Sequence, residues 1–111
     1  ENSLVTDGCE IYGSLDYSVL FDNVTVEEGA TVDYSLIMPG AVIRKGANVR
    51  YAIIAENADI GENADIGGDP AIVGTEDWGI TVIGSNLKVG KNAKISANKM
   101  IVDNVDEGEK I

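Results

Sequence analysis

The sequence predicts an all-β fold, a single-stranded parallel β-helix of triangular cross-section, and three observations lead there. First, Glu56–Gly67 reads ENADIG ENADIG, a tandem hexapeptide with Ile60 and Ile66 in the same slot. A fixed short period marks a repeat architecture, and six residues are too few for a helix pair or a propeller blade. Second, aliphatics continue the register at Val26, Val32, Ile37, Ile43, Val49, Ile54, Ile60, Ile66 and Ile72. The steps of six, six and five give a coil of seventeen residues with three sides, and LDYSVL (15–20), VDYSLI (32–37) and VRYAII (49–54) align on it. Third, two residues before each ladder aliphatic stands a small one: Ala30, Ala41, Ala47, Ala58, Ala64, and on the third side Ser18, Ser35 and Ala52. A period of two along a strand turns both inward, the large residue filling the side and the small one fitting near the corner.

The corners carry their own signal. Gly8, Asn23, Gly29, Gly40, Gly46, Asn57, Asn63 and Asn92 follow ladder positions at a fixed offset. Glycine and asparagine tolerate the positive φ that a sharp corner requires.

Taken in order, residues 1–20 form a first coil that is short by two residues, because Ile11 to Leu15 is a step of only four. The chain starts without Met and already in phase, which reads as a cut inside a larger protein. Residues 21–66 hold the most regular coils. The stretch 67–79, GGDPAIVGTEDWG, breaks the period and reads as an extruded loop. It is either functional or a tolerated corner insertion with Trp78 folded back on the prism, and the second reading is favoured. The ladder resumes at Ile83, Val89, Ile95 and Ile101, and 103–111 is a polar tail that caps the last coil or frays. All 111 residues form one domain.

Composition narrows the function. The net charge is −11, and no Lys or Arg precedes Arg44. That argues against nucleic acid and anionic membranes as partners. There is no signal peptide and no transmembrane run, so the cytoplasm is the default location. The single cysteine, Cys9, occupies a small-residue slot and reads as a core thiol rather than a nucleophile. The chain has no histidine, which removes the usual general base, the Ser–His and Cys–His constellations and most zinc sites. Asp59, Glu62, Asp65 and Asp69 read as a solvated acidic face. Arg44, Lys45 and Arg50 are a candidate anion or effector contact, although such clusters more often pair with neighbouring carboxylates. No catalytic, cofactor-binding or metal-ligating residue is expected in the chain itself.

One pattern exceeds what folding needs. Val19, Leu36 and Ile53 precede third-side ladder positions and so point outward, with Tyr17, Tyr34 and Tyr51 beside them. These six residues are the candidate interface. The alternative is that β-forming residues stand there for propensity alone.

Hexapeptide β-helices resemble two enzyme groups. One is the acyltransferases of left-handed β-helix type, whose usual base is a histidine between trimer subunits. The other is the C-terminal domain of sugar-nucleotide pyrophosphorylases. The run Asn2–Asp69, with its NSLV…GC start, short first coil, SVL and SLIMPG third sides and IGGD interruption, looks like that domain of bacterial ADP-glucose pyrophosphorylase (glucose-1-phosphate adenylyltransferase). TVIG…VGKNAKI at 81–95 fits as well. The resemblance implies a left-handed coil and a regulatory and oligomerisation domain, inactive alone. It also implies a parent enzyme making ADP-glucose from ATP and glucose 1-phosphate with Mg²⁺, for glycogen synthesis. The partners so implied are an N-terminal catalytic domain and a homo- or hetero-tetramer. A hexapeptide acyltransferase, or another sugar-nucleotide pyrophosphorylase, is the alternative; a scaffold with no enzyme attached is a further one.

Overall fold

The computed structural model describes residues 2–76 and 78–111. The chain winds as a parallel β-solenoid of about six turns, consistent with the left-handed coil expected, and each turn places one short strand on each of three sides. The first side stacks Glu10–Ile11, Thr25–Val26, Val42–Ile43, Asp59–Ile60 and Lys88–Val89. The second stacks Ser14–Asp16, Thr31–Asp33, Asn48–Arg50, Asp65–Ile66 and Lys94–Ile95. The third stacks Leu4–Val5, Val19–Leu20, Leu36–Ile37, Ala52–Ile54, Thr81–Ile83 and Met100–Ile101.

The register explains why the repeat has its period. Thr31 pairs with Asn48 and Val32 with Val49, a shift of seventeen, so every ladder aliphatic sits on its own counterpart one coil away. Ile37, Ile43, Ile54, Ile60 and Ile66 are fully buried, as are the small residues Ala41, Ala47, Ala58 and Ala64 beside them. Parallel pairing between coils satisfies the strand amides, and the asparagine and glycine corners named above all adopt positive φ. In the first coil Leu4 pairs with Val19, only fifteen residues on, as the short step after Ile11 requires. Val5 is exposed and Ile11 and Leu15 half-buried, because this coil is packed on one side only.

One expectation needs correction. Ile72 is not a ladder rung: it lies in a four-residue helix, Pro70–Val73, and is 81% exposed. The cause is local. Asp69 caps that helix through its carboxylate, Pro70 occupies the first helical turn, and strand geometry ends at Ile66. Of the two readings of 103–111, the structure shows the capping one. Val105 bridges Val89 and is buried, and Lys110 bridges Lys94, so 103–111 adds a further partial coil.

Candidate functional site

The corner between the second and third sides departs most from a plain repeat. Tyr17, Tyr34 and Tyr51 occupy it in successive coils with φ of 49°, 50° and 49°, a left-handed conformation that bulky residues seldom adopt. Their rings offset the strain by stacking. Tyr17 and Tyr34 have centroids 5.0 Å apart at 11°, and Tyr34 and Tyr51 are 4.8 Å apart at 7°. The residue after each tyrosine must also find a partner for its amide. The Ser18 hydroxyl accepts from the Ser35 amide at 3.1 Å and donates to the Asp16 carbonyl at 3.0 Å. The Ser35 hydroxyl repeats this, accepting from the Ala52 amide at 3.2 Å and donating to the Asp33 carbonyl at 2.8 Å. These buried serines are therefore hydrogen-bonding bridges between coils, beyond the small-residue role read from the sequence.

The extruded segment emerges at this same corner, one coil beyond Tyr51. Gly67 begins it with φ +81°, and a Cβ there would collide with the Arg50 carbonyl oxygen, so no other residue fits. Trp78 closes it. Its indole stands edge-on to Tyr51 at 5.5 Å and 83°, and Nε1 donates to the Gly68 carbonyl at 2.6 Å. The segment is thus folded back on the prism and pinned at both ends.

Beneath it on the second side lies a cleft of about 400 Å³, lined by Arg50, Asp65, Gly67, Val73, Lys94, Ile95, Ser96, Lys110 and Ile111. Arg50 pairs with Asp65 and donates to the Gly67 carbonyl at 3.3 Å, which ties the strand to the foot of the extruded segment. Asp33, one rung from Arg50, has its carboxyl held above the ordinary value, first by burial and then by Asp16, against the pull of Arg50.

The candidate anion contact does not converge. Arg44 lies near the first side, where Asp59 accepts from its Nε at 2.9 Å and its Nη2 at 2.7 Å. Glu27 adds a longer contact of 3.4 Å. The hydrogen bond to Arg44 holds Asp59 below the ordinary carboxylate value, and reciprocally raises the guanidinium. Lys45 is exposed, and Arg50 belongs to the second side. Asp59, Asp65 and Asp69 are engaged by Arg44, Arg50 and the helix cap respectively, and Glu62 is exposed. Among the described residues no group of three or more His, Cys, Asp or Glu is placed to hold a metal. Cys9 is half-buried against the core, its thiol donating to the Phe21 carbonyl at 3.0 Å.

The candidate interface residues do share one surface. Val19, Leu36 and Ile53 are vertical neighbours, and the column extends to Leu4 at one end and to Val82 and Met100 at the other. It is apolar at all six rungs. The equivalent outward column of the first side reads Glu10, Thr25, Val42, Asp59, Lys88, and that of the second Ser14, Thr31, Asn48, Asp65, Lys94. Among the described residues no helix is long and apolar enough to cross a membrane.

A family model described as GlmU-like, C-terminal hexapeptide matches residues 1–77. Among solved structures, WeeI from Acinetobacter baumannii AYE is similar at 23% identity and a TM-score of 0.59 over 98% of this chain and 51% of that one. The acetyltransferase domain of PglB from Neisseria gonorrhoeae FA1090, in complex with acetyl coenzyme A, is similar at 19% identity and a TM-score of 0.53, over 98% and 50%. At such identities the likeness speaks to the fold, and the chain spans about half the length of both structures. No curated protein sequence matches the chain. These findings correct the expectation of a glucose-1-phosphate adenylyltransferase parent. The matching family is the GlmU-like one, and the PglB structure is that of an acetyltransferase, not a nucleotidyltransferase.

Proposed function

The chain belongs to the GlmU-like C-terminal hexapeptide family, and from that premise we propose that it is the β-helical body of an acetyl-CoA-dependent acetyltransferase working as an assembly of copies packed along their third sides. The observation that carries the reading is the six-rung apolar column Leu4, Val19, Leu36, Ile53, Val82 and Met100 on a prism whose other outward columns are mostly polar. Leu4 is 63% and Met100 73% exposed, and contiguous apolar surface of this kind marks an association face. The tyrosine ladder borders it and would widen the contact.

In acetyl transfer the acceptor's lone pair forms a bond to the thioester carbonyl carbon, the carbon–sulfur bond breaks, and the departing thiolate takes up a proton. The acceptor loses its own proton to a base. With no histidine in the chain, that base is another titratable side chain or a group supplied from beyond these residues. The PglB structure, with its acetyl coenzyme A, suggests the donor class.

Sedimentation equilibrium and calorimetry with acetyl-CoA test the proposal. Self-association that Leu36→Asp abolishes, together with saturable acetyl-CoA binding, supports it. A monomer at all accessible concentrations with no heat from acetyl-CoA refutes it.

A further inference from the structure

Tyr17, Tyr34, Tyr51 and Trp78 form one continuous aromatic column along the corner between the second and third sides. The tyrosine pairs, at 5.0 Å and 4.8 Å with ring planes 11° and 7° apart, hold their π faces in van der Waals contact through successive coils. Trp78, the only tryptophan of the chain, meets Tyr51 edge-on at 5.5 Å. Towards the other end Tyr34 is 46% and Tyr17 50% exposed, so their phenols reach solvent. The fourth tyrosine, Tyr12, stands apart after the first-side strand and makes no ring contact with a described residue. Indole and phenol rings give up a single electron more readily than any aliphatic or carboxylate side chain. A phenol that loses an electron and its proton together forms a neutral radical more stable than the corresponding indole radical. Electronic coupling falls off exponentially with distance, so touching rings pass an electron vacancy along far faster than separated ones.

We propose that this column is a path for one-electron oxidation, which draws oxidising equivalents from Trp78 through Tyr51 to the solvent-facing phenols of Tyr34 and Tyr17. A small oxidising radical takes one electron from the Trp78 indole and is reduced to its anion, while the Nε1 proton leaves to solvent. Tyr51 returns an electron to the indole, which regains a proton from solvent, and the Tyr51 phenol releases its own. The same exchange passes the vacancy to Tyr34 and Tyr17, each ring recovering what it lost, so that the chain as a whole has given up one electron and one proton. A soluble thiol or ascorbate-type reductant then supplies one electron and one proton to the exposed tyrosyl radical and restores the phenol. The path protects a structural contact: Trp78 donates to the Gly68 carbonyl at 2.6 Å and so closes the extruded segment, and permanent oxidation of its ring would disturb that pin. The inference stands on ring geometry and is independent of acetyl transfer.

The test is pulse radiolysis of the whole chain with azidyl radicals, which oxidise indole in preference to phenol near neutral pH. Tryptophyl and tyrosyl radicals absorb at different visible wavelengths, and with a single tryptophan the starting point is unambiguous. Tryptophyl absorption should decay in a first-order step, independent of protein concentration, as tyrosyl absorption rises to match. Tyr51→Phe keeps a ring in the stack but has no phenol to oxidise, and the next phenol lies one ring further off, so the fast step should be lost. Tyr12→Phe, outside the column, should leave it unchanged. A nitroso spin trap followed by peptide mass mapping should mark Tyr17 and Tyr34 in the parent, and Trp78 in Tyr51→Phe. A tryptophyl signal that decays only by encounters between molecules overturns the path. So does a fast step that survives Tyr51→Phe, or a trap adduct that stays on Trp78 in the parent.

Discussion

The ladder itself gives the sharpest prediction, because Ile66 and Ile72 are six residues apart and have the same status in the sequence pattern. Register alone predicts the same penalty for truncating either to alanine. The structure predicts opposite outcomes. Ile66 is fully buried between Val49 and Ile95, its neighbours in the coils on either side. Alanine removes three carbons, worth about 2.4 kcal/mol at ~0.8 kcal/mol each. The flanking rungs are held by backbone hydrogen bonds and collapse little, so a residual cavity adds about 1–2 kcal/mol. Ile66→Ala should therefore cost about 3.4–4.4 kcal/mol, a large part of the ~5–15 kcal/mol stability of a domain this size. Ile72 is 81% exposed and should cost no more than about 0.5 kcal/mol. Urea denaturation followed by far-ultraviolet circular dichroism separates the two, provided the slopes match the parent. Equal costs for the two variants, or a cost below about 1 kcal/mol for Ile66→Ala, would refute the assignment of the rungs.

Three further predictions concern the second-to-third corner and the charges. Tyr34→Ala keeps an unfavourable φ of 50° and loses both ring contacts, so it should cost about 2 kcal/mol, whereas Tyr34→Asn, which tolerates that φ, should cost about half as much in the same urea assay. Trp78→Phe removes the bond to the Gly68 carbonyl, and limited proteolysis within 67–79 should accelerate several-fold while global stability changes little. Asp59 and Asp33 should behave oppositely with pH. The folded state lowers Asp59 below about 3.8, so its contribution is present at neutral pH and lost as pH falls through that range; Asp59→Asn should destabilise at pH 7, by less than about 1 kcal/mol, with the gap closing in acid. The folded state raises Asp33, so the protonated form is favoured and that stability disappears as pH rises; Asp33→Asn should gain stability at pH 7 and nothing in strong acid, as thermal midpoints across pH will show.

The coil was legible because its constraint is local and repeated. Each Ile or Val ladder position, each small partner and each Asn or Gly corner answers to the same steric demand in every coil, so Ile43, Ile60 and Asn57 announce their roles by position alone. The candidate interface was partly legible for the same reason. Val19, Leu36 and Ile53 recur at seventeen, but Val82 and Met100 join their column across irregular spacings, after the insertion has reset the count. The cleft was hidden by that same reset. Asp65, Lys94 and Lys110 occupy one column only because strands far apart in number pair directly, and no fixed period connects them. Arg44 and Arg50 show the converse, pairing with neighbouring carboxylates as the commoner reading of such clusters has it. Nearness in sequence suggested a cluster, while the turn between two sides sends Arg44 and Arg50 to different carboxylates. The tyrosines were read as surface residues, and nothing in their identity signals a positive φ, because that conformation is offset here by stacking on rings in the adjoining coils.

The position of the insertion follows from the energetics of the solenoid. Ala52–Ile54 pairs with Thr81–Ile83 in full register although the extruded segment intervenes, so the insertion breaks no coil-to-coil pairing. Lengthening a closed loop costs only about 0.6 kcal/mol for each doubling, far less than losing a rung. Corners are therefore the places where a β-helix can acquire new surface cheaply, and this corner separates two unlike surfaces. On one side lies the apolar third-side column, and on the other the cleft with Lys94 and Lys110. Trp78 and Gly68 fix the segment over Tyr51, so its wall residue Val73 reaches the cleft while the third side stays open. The apolar column and the cleft thus meet at one corner, that of Tyr51. Loosening it through Trp78 should free Val73 from the cleft wall before it disturbs the coil-to-coil pairing of the third side.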